Sequence, residues 1–93
     1  MSKRTTLKDL ENIISRINSM TGSPPETWTK VDGKLRSNVG NYHLNGAYGG
    51  WRLDRIVNES GAVDDVLQVG YVSKPELKRL LFAFINGLGV HNE

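Results

Sequence analysis

The order of hydrophobic patterns along this 93-residue chain predicts an α+β domain. A small antiparallel sheet is expected to pack against an N-terminal and a C-terminal amphipathic helix. Three observations carry that expectation. Apolar residues recur at helical spacing near both ends, short β-prone runs fill the middle, and Asp-Gly and Asn-Gly pairs punctuate those runs. No internal repeat or linker divides the chain, so residues 1–93 read as one domain: helix about 6–21, a strand-rich middle 27–68, helix about 74–88.

The first helix opens at Thr5-Thr6-Leu-Lys-Asp9, with Thr6 as N-cap and Asp9 in the place of the usual capping-box glutamate. Leu7, Leu10, Ile13, Ile14, Ile17 and Met20 form one stripe; Lys8, Glu11, Asn12, Arg16 and Asn18 are expected to face water. The stripe fits core packing or a pairing seam with another helix. Thr21-Gly22 ends the helix, and Ser23-Pro24-Pro25 prevents its resumption.

Asp32-Gly33 lies between Trp28–Val31 and Lys34–Ser37, a hairpin signature because both turn residues tolerate positive φ. A third strand is expected over Gly40–Leu44, ending at Asn45-Gly46. Trp51–Asn58 fits a short helix better than a strand. Leu53, Ile56 and Val57 fall at i, i+3 and i+4, whereas strand alternation is broken by Arg55 and Ile56. Glu59-Ser60-Gly61 then acts as a stop, and Ala62–Leu67 reads as an edge strand with paired acids.

Ser73-Lys-Pro-Glu76 signals the last helix: serine caps, glutamate stands three residues on, and proline occupies the first turn where its missing N–H costs nothing. Leu77, Leu80, Leu81, Phe84, Ile85 and Leu88 form its apolar face, and Gly87 and Gly89 are expected to close it. Phe82 lies off that face, as an isolated exposed ring, a subunit contact or a ligand platform.

Composition narrows the function. With 38% hydrophobic and 24% charged residues the chain is a folding one, although its length supports only a thin core that oligomerisation commonly supplements. A net charge of +2 does not by itself imply nucleic acid as a partner. The absence of cysteine excludes disulfides, zinc-finger spacing and a thiol nucleophile. No membrane span or apolar signal core is visible, and a cytoplasmic protein is expected.

For nucleophilic or acid–base chemistry only His43 and His91 offer an imidazole, and Asp64-Asp65 would point to opposite faces of a strand. No spaced metal-ligand cluster appears, so a non-enzymatic protein without metal or cofactor is expected. Asn45-Gly46-Ala-Tyr-Gly-Gly50 lacks both the Walker ending and the dinucleotide pattern. A helix starting near Gly50 would nevertheless set an anion-binding N-terminus among Arg52 and Arg55; otherwise these glycines only make tight turns. Arg52-Leu-Asp54-Arg55 also permits an exposed ion pair of little energetic consequence. Trp28, Tyr42, Tyr48 and Trp51 interleave with Lys30, Lys34, Arg36, His43, Arg52 and Arg55. That mixture suits a nucleotide or a single strand, since rings stack on bases and guanidinium groups hold phosphate. Equally, Trp28, Tyr42 and Trp51 could be core residues of a small sheet.

The run Tyr42-His-Leu-Asn-Gly-Ala-Tyr-Gly-Gly-Trp51, with Val57–Val63, Ser73–Leu77 and Phe84–Leu88, resembles small proteins of tailed phages and prophages over nearly the whole chain after Thr6. The resemblance implies synthesis in a bacterial cytoplasm during infection. The chain also resembles the first Thoeris anti-defence family, small phage proteins that assemble as oligomers and sequester nucleotide immune signals between subunits. That resemblance implies a homo-oligomer, with Trp51, Arg52, Arg55, Asn58, Lys78 and Phe82 supplying ligand groups. The expected ligand-binding set is therefore His43, Tyr48, Gly49, Gly50, Trp51, Arg52, Arg55, Asn58, Lys78 and Phe82. A nucleic acid, a nucleoprotein defence complex or a host protein is the alternative partner, and none of these readings needs a membrane.

Overall fold

A computed structural model of the chain describes residues 4–91. Met1–Lys3, Asn92, Glu93 and the side chains of Val90 and His91 lie outside the described residues. The elements run α1 (Leu7–Thr21), β1 (Trp28–Val31), β2 (Lys34–Ser37), β3 (Tyr42–Ala47), β4 (Gly50–Ile56), β5 (Val63–Asp65) and α2 (Lys74–His91). This is an α+β fold with two antiparallel sheets, β1-β2 and β3-β4-β5, and with helices at both ends.

Helix α1 starts where its cap dictates. The Thr6 N–H donates to Asp9 Oδ2 at 2.9 Å and the Asp9 N–H to Thr6 Oγ1 at 3.1 Å, so the shorter aspartate closes the box. It ends at Gly22 in the left-handed region, φ 68°. Leu10, Ile14 and Ile17 are buried against Leu77, Leu81 and Ile85 of α2 and against Tyr42 and Leu53 of the sheet. Leu10, Ile14 and Ile17 of the α1 stripe are therefore core, with Ile13 and Met20 partly buried beside them and Leu7 exposed.

Asn18 does not face water as its helix position predicts; it is buried. Its Nδ2 donates to the Tyr42 carbonyl at 3.0 Å, and its Oδ1 accepts the Tyr42 N–H at 2.8 Å. One amide side chain thus does for the outer edge of β3 what a further strand would do.

The Asp32-Gly33 turn forms as predicted, with φ of 51° and 77° and Val31 paired to Lys34. The third strand, expected over Gly40–Leu44, is shifted along the chain and runs Tyr42–Ala47. Asn45-Gly46 lies inside β3, and the turn falls at Tyr48-Gly49, with φ of 53° and 73°. Gly46 serves packing instead: a Cβ there would stand 2.4 Å from Trp51 Cζ3, so only glycine lets the indole lie across β3.

Trp51–Asn58 is the main correction. The segment is mostly strand β4, the centre of the three-stranded sheet, and not a helix. Trp51 and Leu53 pack toward the helices, while Ile56 is buried on the opposite side, so the apolar residue that spoiled the alternation serves the second face. Pairing with β3 on one edge and with β5 and Val72 on the other outweighs the local helical spacing. The predicted helix N-terminus at Gly50 is consequently absent. The stop at residues 59–61 is a turn, held by Asn58 Oδ1 accepting the N–H groups of Ser60 and Ala62 at 3.0 and 3.1 Å.

The edge strand β5 is shorter than expected; Val66 and Leu67 leave it and pack on the core. Ser73 Oγ accepts the Glu76 N–H at 3.3 Å, but the Glu76 carboxylate turns to Arg79, so half of the expected capping box forms. Gly87 and Gly89 do not end α2, which continues to His91. A mid-helix glycine costs only about 1 kcal/mol relative to alanine, and the helix is already anchored by Leu77, Leu81 and Ile85.

Candidate functional site

Two regions of the β3–β4 hairpin carry chemistry, one on each face of the sheet. On the helix side, Trp51 meets the start of α2. Lys74 Nζ stands 5.9 Å from the Trp51 ring centroid. Arg4, Thr5, Gly49, Trp51, Ser73, Lys74 and Pro75 line a cleft of about 820 Å³. Two cations and an indole therefore share one concavity, walled by the segment that precedes α1 and by the start of α2.

The opposite face is polar and organised by Asp54, which is fully buried. Arg52 Nε donates to Asp54 Oδ1 at 2.7 Å and Asn45 Nδ2 to Oδ2 at 2.6 Å. The ion pair expected to be exposed is thus a buried carboxylate with a cation whose side chain keeps 23% exposure. Its hydrogen bond to Asp54 raises the Arg52 pKa further above its ordinary value, keeping the guanidinium charged. The guanidinium carbon lies 4.6 Å from the Tyr71 centroid, and Tyr48 meets Tyr71 edge-on at 5.5 Å. Tyr48, 95% exposed at the turn, stands between the two faces.

His43 is the cross-strand partner of Asp54, and its Nδ1 is buried with no hydrogen-bond partner. Burial pushes the imidazole below its ordinary pKa of 6.5, outweighing the opposing pull of the Asp54 carboxylate.

The ten residues singled out in the sequence divide accordingly. Tyr48, Gly49, Gly50, Trp51 and Arg52 come together around the Tyr71–Lys74 segment. Gly50 has a packing role there, since a Cβ would stand 3.0 Å from the Tyr71 backbone. His43 lies across the strand pair from Asp54 without hydrogen bonding to it. Arg55 lies near the other end of the hairpin, its guanidinium carbon 5.1 Å from the Tyr42 centroid. Asn58 is occupied in its turn. Lys78 and Phe82 follow Lys74 at one and two helical turns along α2, with Phe82 exposed. Asp54, Tyr71, Lys74 and Arg4 were missed. Lys74 sits in the capping signal, where it reads as structure, and Asp54 is legible only as an ion-pair partner of Arg52; Tyr71 and Arg4 carry no local signal, because the fold alone brings them beside Arg52 and Trp51.

Among the described residues no group of three or more His, Cys, Asp or Glu is placed to hold a metal ion. No described helix is long and apolar enough to cross a membrane. No protein-family model, curated protein or solved structure matches the chain.

Proposed function

We propose that this is a phage anti-defence protein that binds a nucleotide immune signal stoichiometrically, without chemical turnover. The observation that carries the reading is the cleft in which Trp51, Lys74 and Arg4 meet. A base stacks on the indole, whose position across Gly46 fixes its plane, and phosphate is held by the two cations. Tyr48, exposed at the turn beside Gly49, is the second ring available to the ligand. The phage resemblance frames the biology: a small protein that removes a signal needs affinity and abundance, not catalysis. On one chain the cleft is open to solvent, and a second copy closing it would accord with the expected homo-oligomer.

The test is a melting-temperature series with cyclic nucleotides and cyclic ADP-ribose isomers. A ligand at about 100 times its Kd adds about 2.7 kcal/mol to stability, a shift of several degrees. The shift is expected to disappear in Lys74→Ala and Trp51→Ala. No shift with any of these compounds, together with no retained small molecule in native mass spectrometry of the protein from infected cells, would refute the reading.

A further inference from the structure

The β1–β2 hairpin has no role in that cleft, and its substantial tertiary contacts are within itself. Every residue of its strands is exposed except the half-buried Ser37. Leu35 is 70% and Trp28 59% exposed, far beyond what a hairpin packed on a core would show. A two-stranded hairpin is marginal in water. This one is braced at its base by Asn38, whose Nδ2 lies 2.8 Å from Thr29 Oγ1 and 2.9 Å from the Glu26 carbonyl, and whose N–H donates to the Thr27 carbonyl. The radius of gyration, 13.8 Å, exceeds the roughly 12 Å of a compact chain of this length, as a projecting arm requires.

We propose that this arm enters a groove of double-stranded nucleic acid. Its charge is the first argument. Residues 28–37 hold Lys30, Lys34 and Arg36 against Asp32, an excess of two positive charges. The whole chain has a net charge of +2, so the remainder is balanced and the entire excess resides on the arm. The cations lie on both faces: the register puts Lys30 with Trp28 and Leu35 on one, and Lys34 and Arg36 with Val31 on the other. A protein partner would cover one face, whereas a groove presents phosphates on two walls. Dimensions agree. A ribbon with side chains on both faces is about 10 Å thick, and the major groove of a duplex is about 12 Å wide and 8.5 Å deep. Four residues per strand extend about 14 Å, enough to bring the Asp32-Gly33 turn to the groove floor while Lys30, Lys34 and Arg36 face the walls. Glu59 shares a hollow with Val31, Leu35, Arg36 and Val39, so one acid flanks the arm from the body of the protein.

The experiment is fluorescence anisotropy of a labelled 20-bp duplex with the full chain between 50 and 200 mM salt. Three phosphate contacts predict a slope of roughly −3 for log K against log salt. Lys30→Ala/Lys34→Ala/Arg36→Ala is expected to remove that slope and weaken binding about tenfold or more at 50 mM, with an unchanged circular dichroism spectrum. Asp32→Asn, which keeps a turn-forming residue and removes the one acid, is expected to tighten binding, and it decides the matter should the triple variant misfold. Trp51→Ala is expected to bind the duplex as the parent does, so failure here is separable from failure of the nucleotide cleft. The proposal is overturned by no binding at 50 mM, by a folded triple variant that binds unchanged, or by a 20-nucleotide single strand or polyglutamate binding as tightly as the duplex.

Discussion

The molecule contains two hairpins with the same turn and opposite fates. Both close through two residues at positive φ, Asp32-Gly33 in one and Tyr48-Gly49 in the other. The first projects with both faces in water. The second is sandwiched, with Leu53 and Trp51 against the helices and Asp54 enclosed on the far face. The difference shows that turn chemistry sets where a hairpin reverses, while packing decides whether it becomes scaffold or exposed surface. In β3–β4 Tyr42, Leu53, Asp54 and Ile56 are buried, so substitutions at those positions are costly. In β1–β2 the side chains are free to meet something else.

The largest effect should come from Arg52→Ala, which leaves Asp54 buried without its cation. Breaking such a pair costs about 3–5 kcal/mol, and denaturant unfolding is expected to show it. Asp54→Asn should cost less, because the exposed side of Arg52 can reach water; an equal loss from both would argue that Asp54 is not buried in solution.

Next in size is the contrast between two leucines. Leu53→Ala in β4 should lower stability by about 2–5 kcal/mol, whereas Leu35→Ala in β2 should change it by no more than about 0.5 kcal/mol. A comparable loss at Leu35 would mean that the arm is packed against the body, and would undermine its assignment as a free surface.

The smallest effect is a pH dependence. With its folded pKa below 6.5, His43 binds fewer protons in the native than in the unfolded state across the window between the two values. Its contribution is therefore fully present above pH 6.5 and is lost progressively as pH falls toward the depressed folded value. Thermal melts from pH 7.5 down to 5 should show that decline, and His43→Gln should flatten it.

Much of the framework was legible in the chain. Thr6 with Asp9, Gly22, Asp32-Gly33 and Ser73-Lys-Pro are local signals that act through a few neighbouring backbone groups, so reading them needs no tertiary context. Trp51–Ile56 was misread because helical spacing of Leu53, Ile56 and Val57 is a local pattern, while pairing to Tyr42–Ala47 and Val63–Asp65 depends on how distant segments meet. The candidate site was half legible. Gly49 and Trp51 stood out by composition, but Lys74 reaches Trp51 only because α2 begins beside the end of the β3–β4 hairpin.

By itself the sequence determined the α+β class, both helix starts, the first turn and the apolar faces of α1 and α2, since caps, turns and periodicity act over a few residues. The tertiary structure alone decided that Asn18 caps a strand edge, that Gly46 makes room for an indole, that Asp54 is buried, and that Trp28 and Leu35 are left exposed. Each of those outcomes depends on which distant segments exclude water from one another, and that is a property of packing.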